Sequence, residues 1–323
     1  MQVPAFWAEA TSSAQIKGKA RQIRRFGWSD ASQQQAQQHA QTRLTEAVSA
    51  LQAGERIKPR DPRSGYNGAE GLPIREEIIG RHQNAVITRN SYGALCLNTP
   101  DVLFADIDIK PTGGGLRTLV GLLVLAPFCV LLSWLLPWTI LVSIPAALFL
   151  SGPLAGRLFP RWLNPQRRGQ IEALGRVKAF SAKHPDWHLH LYQTPAGLRV
   201  LVLHKLFDPR SAEVSDFFAA VAADPVYQQM CRNQNCFRAR LSPKPWRIGM
   251  QQQLSPAARI WPVTGLSLNE RLSWIRSYES KSRDYAACHY LKALGSGRVN
   301  AQAGYIKALH DQYCKASSTL PIA

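Results

Sequence analysis

The chain has 323 residues, 39 Lys+Arg against 21 Asp+Glu, a formal net charge of +18 and 46% hydrophobic residues. That apolar content excludes a wholly disordered chain, and the lack of a Gly-x-y or heptad period excludes collagen and coiled coil. The apolar residues are unevenly spread, because positions 118–156 hold no charged residue at all.

In chain order, residues 1–72 read as a helical, basic N-terminal region and linker. Lys17, Lys19, Arg21, Arg24 and Arg25 form a basic cluster in helical register. A second helix is expected over about 29–53, with Leu44, Ala47, Val48 and Leu51 at helical spacing, Ser29 or Asp30 as cap and Gly54 as stop. A turn-rich loop follows from Lys58. Residues 73–117 read as the first half of an α+β domain. There, Ala85-Val-Ile-Thr-Arg and Ala94-Leu-Cys-Leu-Asn flank Asn90-Ser-Tyr-Gly as a β-hairpin, and a short apolar strand carries Asp106 and Asp108.

Residues 118–156 are expected to form a transmembrane helical hairpin. A hydrocarbon core about 30 Å thick needs roughly 20 apolar helical residues, and this run is close to twice that. Leu136-Pro137-Trp138 is the natural turn, and Pro127 and Pro145 should kink the spans. Lys110 and Arg117 precede the run; Arg157, Arg161, Arg167 and Arg168 follow it. Cations at both ends predict a multi-pass membrane protein of two spans with both termini cytoplasmic. The lipid bilayer is then a partner, and anionic lipid another.

Residues 157–250 read as the second half of the α+β domain: a helix over 169–183, a strand pair around Thr194-Pro-Ala-Gly, and a helix over 213–229. Residues 251–323 look helical. The order of elements predicts an α+β fold, a mixed or antiparallel sheet with helices on one face, interrupted by the membrane hairpin.

Three groups could carry chemistry. Asp106 and Asp108 are two apart in a strand, so both carboxylates share a face. Two adjacent acids repel unless a cation such as Mg²⁺ or Mn²⁺ sits between them. The alternative is a pair of acids facing water at a sheet edge. In the later hairpin, Gly197 permits close backbone approach, Thr194 supplies a hydroxyl and Arg199 a planar fork, together a candidate phosphate-binding turn; the alternative is an ordinary turn. Third, Cys231 and Cys236 lie close in sequence, and Cys288, His289, His310 and Cys314 could complete a zinc site; otherwise these are plain thiols. Around the first pair, Arg232, Arg238, Arg240, Lys244 and Arg247 interleave with Phe237 and Trp246, which suits nucleic acid or anionic lipid.

An acid-x-acid strand, a helix, then a strand pair with a Gly turn and a basic residue resembles the catalytic core of archaeo-eukaryotic primases and primase-polymerases. The resemblance covers about 85–110 and 165–210. It implies metal binding by Asp106 and Asp108, and triphosphate contact around Thr194, Gly197 and Arg199. That family's second motif ends in His where this chain has Arg199, and its third acid would be Asp208 or Asp216. The expected function is therefore a cytosol-facing domain of an integral membrane protein that binds a divalent metal and a nucleotide or other phosphate ester. The alternatives are a membrane-anchored scaffold with a degenerate site, and a metal-dependent glycosyltransferase.

Overall fold

A computed structural model describes residues 1–16, 19–62, 72–109, 114–158 and 165–323. Lys17, Lys110, Arg161 and the part of the N-terminal loop beyond Pro62 lie outside the described residues.

The N-terminus is a β-hairpin, not a helix. Strands β1 (Phe6–Ile16) and β2 (Lys19–Ser29) pair antiparallel along their whole length. Only the later half of β2 is covered: Lys19 to Gln22 are exposed, whereas Ile23, Arg25, Phe26 and Gly27 are buried. Helix α1 (Gln33–Gln52) lies on this hairpin through Ala36, Ala40, Leu44, Ala47 and Leu51. Its cap is Ser32, whose hydroxyl accepts from the Gln35 amide at 3.2 Å. Gly27 is required here: a Cβ would lie 2.1 Å from the Ala40 backbone nitrogen.

Two four-stranded antiparallel sheets follow. One has the order β3 (Glu77–His82), β4 (Ala85–Arg89), β5 (Leu95–Thr99), β9 (Phe237–Arg240). The expected turn joins β4 to β5, with the Asn90 side chain accepting from the Tyr92 and Ala94 amides and Gly93 at φ +91°. The other sheet has the order β10 (His289–Gly295), β7 (His188–Thr194), β8 (Gly197–Val202), β6 (Phe104–Asp108). Leu97, Phe104, Leu191, Val200, Phe237 and Ala239 belong to one continuous core shared by both sheets. The α+β class and the antiparallel sheets are thus as expected.

The charge-free stretch forms two antiparallel helices, α2 (Gly114–Leu135) and α3 (Ile140–Leu158), joined by a 3-10 turn at Pro137–Thr139. They approach closely where Gly121 meets the Ser151 carbonyl. Outward side chains such as Trp134, Leu141 and Phe149 are exposed. Among the described residues, no helix is long and apolar enough to cross a membrane. The expected transmembrane hairpin, the two-span localisation and the integral-membrane function are corrected accordingly. The turn and the flanking arginines shorten the charge-free helical lengths to 118–135 and 140–156, about 27 Å and about 26 Å against a hydrocarbon core of about 30 Å. Pro127, Pro145 and Pro153 lie inside them.

After this pair, α4 (Pro165–Lys183) leads into the strand pair β7–β8, as expected. The single helix expected over 213–229 is two, α5 (Ala212–Val221) and α6 (Pro225–Gln234), because Asp224-Pro225 starts a new cap. Two short stretches follow, a 3-10 turn at Pro245–Ile248 and α7 (Pro256–Arg259), before α8 (Leu266–Ser282). The C-terminal region is not wholly helical, because β10 intervenes before α9 (Ala301–Cys314).

Side-chain alternation gives the central sheet two unlike faces. Phe180 of α4 and Phe217 of α5 pack with Trp187 on one side. On the other, Tyr192, Arg199 and Asp106 stand side by side in register, and His310 of α9 packs against Tyr192 and Phe104. Helices therefore cover both faces rather than the one expected, because α9 returns to the face opposite α4 and α5, and the polar side chains gather on that second face.

Candidate metal centre and the polar face of the central sheet

The register of β6 against β8 sets Asp106 opposite Arg199. Arg199 is 2% exposed and grips both carboxylate oxygens of Asp106, Nε to Oδ1 at 2.7 Å and Nη2 to Oδ2 at 3.0 Å. Its Nη1 donates to the Arg240 carbonyl at 2.9 Å, which ties the two sheets together. Burial alone would lower the basicity of Arg199; the charge of Asp106 and its hydrogen bonds offset this and raise it. The cation expected between the acids is, for Asp106, a guanidinium of the same chain. Arg199 is spent inside the protein and is not offered to a phosphate.

Asp108 lies one step further along, exposed at the strand end. Although the residue is exposed, protein atoms packed around its carboxyl desolvate it, and this, then the charges of Asp106 and Asp224, push it above the ordinary value, while Lys244 and Arg240 oppose them. After Asp106, the acid whose charge acts most on Asp108 is Asp224, the cap of α6. Its amide also donates to the Asp106 carbonyl at 2.9 Å. Thr194 accepts from the Gly197 amide at 3.0 Å, closing its own turn. A Cβ on Gly197 would sit 2.0 Å from the Ile107 carbonyl, so the close approach that this glycine permits is to β6.

Behind Arg199 lies the cysteine and histidine group. Cys288 immediately precedes β10; His310 and Cys314 are one turn apart on α9 and so share a helix face. The ligand atoms of Cys288, His310 and Cys314 lie within 4.8 Å of one another, and all three residues are 0% exposed. This group can hold a metal ion. No other such group of three occurs among the described residues. His310 Nδ1 faces Asp311 Oδ1 at 3.0 Å, and His310 Nε2 lies 3.9 Å from Cys288 Sγ and 3.3 Å from Arg199 Nη1. A carboxylate on one ring nitrogen fixes the tautomer and leaves the other as the coordinating atom, the usual outer support of a metal-bound histidine. A hydrogen bond from Cys314 lowers the Cys288 thiol against its burial, with further help from His310 and Arg199. For His310, burial acts downward, but Asp311 and Cys288 raise it. Burial and the neighbouring Cys288 push the Cys314 thiol well up, so without an ion the pocket favours one thiolate, at Cys288.

Cys231 and Cys236 stand apart from this group. Burial pushes both thiols up, Cys236 to about 12. They fill apolar space, Cys231 in the main core and Cys236 beside Val3, Ile74 and Val86. Of the basic strip, Arg238 is paired with Glu76 at 2.6 Å, Arg232 donates to the Ser215 hydroxyl at 2.9 Å, and Phe237 is fully buried. Lys244 lies over the ring of Trp246, with Nζ 5.4 Å from its centroid. Burial, then Arg240 and Arg247, lower the basicity of Lys244.

No family model, curated protein or solved structure matches the chain, and nothing in them bears on the primase-like resemblance.

Proposed function

We propose that this chain binds one zinc ion through Cys288, His310 and Cys314, and that the ion is a structural lock joining α9 to the start of β10, the edge strand of the central sheet. The observation that supports this reading most is the convergence of two thiols and one imidazole, from two distant segments, at a fully buried point. Zinc–sulfur bonds of about 2.3 Å and zinc–nitrogen bonds of about 2.0 Å need ligand atoms roughly 3.5–3.8 Å apart in a tetrahedron. The three atoms need only a small contraction to meet that. Sulfur and nitrogen ligands select zinc over Mg²⁺ or Mn²⁺, which prefer oxygen. Charge supports it as well: two thiolates neutralise the dication and leave the Arg199–Asp106 pair intact.

Three protein ligands leave the fourth position of a zinc tetrahedron to water or another group, and it is the complete burial of all three, closing that position to bulk solvent and substrate, that favours a structural over a catalytic ion. A reactive thiol is disfavoured on the same ground, because Cys288 is sealed from solvent. Elemental analysis of purified chain tests the proposal. Near one equivalent of zinc is expected in the wild type and in Cys231→Ser with Cys236→Ser, and loss in Cys314→Ser. Wild-type protein isolated without chelator and free of zinc would overturn it.

A further inference from the structure

A cavity of about 260 Å³ lies between the N-terminal hairpin, the sheet β3–β4–β5–β9 and the short helix α7. That is near the lower end of small-ligand sites, roughly 300–1,000 Å³. Its wall includes the aromatic rings of Trp7, Phe26 and Trp261. It is also cationic: four arginines line the cavity against two carboxylates, Glu76 and Asp106. Both carboxylates are already committed, Glu76 to Arg238 and Asp106 to Arg199. The Nε atoms of Arg240 and Arg259 are buried and have no hydrogen-bond partner among the described residues. A guanidinium N–H left unpaired away from water is costly, and a charged acceptor is its strongest complement.

We propose that this cavity is a binding site for a small aromatic anion, an aryl phosphate or carboxylate, with the acid group between Arg240 and Arg259 and the ring against Trp7, Phe26 and Trp261. Arg75, which donates from Nε to the Trp261 carbonyl and lies with its guanidinium carbon 3.9 Å from the centre of the Phe26 ring, holds these aromatic residues in place. The Oε1 of Gln234, likewise unpaired and buried, adds an acceptor for a ligand O–H or N–H. Arg240 touches the proposed zinc centre only through its backbone carbonyl, which accepts from Cys314 Sγ at 3.6 Å and which a side-chain substitution keeps, so the two readings are tested separately.

Titration of the full chain by tryptophan fluorescence tests the site, with phenyl phosphate, benzoate, inorganic phosphate and benzyl alcohol as probes. Saturable quenching is expected with phenyl phosphate or benzoate, at least about tenfold tighter than with inorganic phosphate or benzyl alcohol. Arg259→Gln, a half-buried residue on a four-residue helix, should fold as wild type by circular dichroism and weaken binding at least about tenfold; Arg240→Gln should do the same. Four results would overturn the site: no saturation up to about 10 mM, equal affinity for benzyl alcohol, equal affinity for inorganic phosphate, or unchanged binding in folded Arg259→Gln.

Discussion

The Asp106–Arg199 pair gives a prediction whose size follows from burial. The Arg199 side chain is 3% exposed and that of Asp106 29%. Asp106→Ala therefore strands a guanidinium that water cannot reach, at a cost of roughly 3–5 kcal/mol. At about 2–4 °C per kcal/mol this lowers Tm by about 6–20 °C. Arg199→Met is milder, because the Asp106 carboxylate it frees is 29% exposed and can be hydrated. Replacing both at once, Asp106→Leu with Arg199→Met, should recover most of the loss, since a buried ion pair exchanged for apolar side chains of similar volume is often near neutral. Thermal melts of the three variants, with and without millimolar Mg²⁺ or Mn²⁺, measure this. The account expects no effect of either cation on the wild type. If Asp106→Ala costs under about 1 kcal/mol, or if the losses simply add, the reasoning from burial fails.

Other outcomes follow from neighbouring residues. Asp108 has a folded value above the ordinary 3.8, so its charge opposes folding once the pH exceeds that raised value. Asp108→Asn should therefore raise Tm at neutral pH, and the gain should shrink as the pH falls, closing below about 3.8; a constant gain at all pH would contradict this. Gly197→Ala places a methyl group 2.0 Å from the Ile107 carbonyl, and should cost about 3 kcal/mol or more by prising β8 from β6, read from denaturant midpoints. Ser32→Ala removes the cap of α1 and should cost about 1 kcal/mol in the same assay, while Ser29→Ala, which removes a hydroxyl that accepts from the Ala31 and Ser32 amides ahead of the helix, should cost less. Cys314→Ser should lower Tm, and adding a chelator should then change nothing further, whereas a chelator should lower the Tm of the wild type.

Much of the fold was legible because its signals are local. The Asn90-Ser-Tyr-Gly turn, the strand bearing two acids, helix α4 and the β7–β8 hairpin each announce themselves within about ten residues. What failed was tertiary. The N-terminal strands are rich in Ala, Ser, Gln and Arg, residues of poor strand preference, and are fixed by the face they bury against α1. Strand β10 reads as helix-forming His-Tyr-Leu-Lys-Ala-Leu but completes a sheet edge by pairing with β7. The long charge-free stretch showed where the apolar helices lie; their lengths depend on where the turn and caps fall, which composition does not show.

The site residues were visible singly but not in their partnerships. Asp106, Arg199, Cys288, His310 and Cys314 all stand out by type, yet Asp106 and Arg199 are 93 residues apart and only strand register joins them. Cys231 and Cys236 made the tighter sequence pair, and sequence proximity misled, because their side chains enter apolar surroundings. The i, i+4 spacing of His310 and Cys314 on a helix was the better signal.

X-ray absorption at the zinc edge of the purified full chain tests the metal centre most directly. The account predicts two sulfur ligands at about 2.3 Å and one imidazole nitrogen at about 2.0 Å around a single bound zinc. An all-oxygen and nitrogen shell, or a sulfur signal that survives Cys314→Ser unchanged, would contradict it.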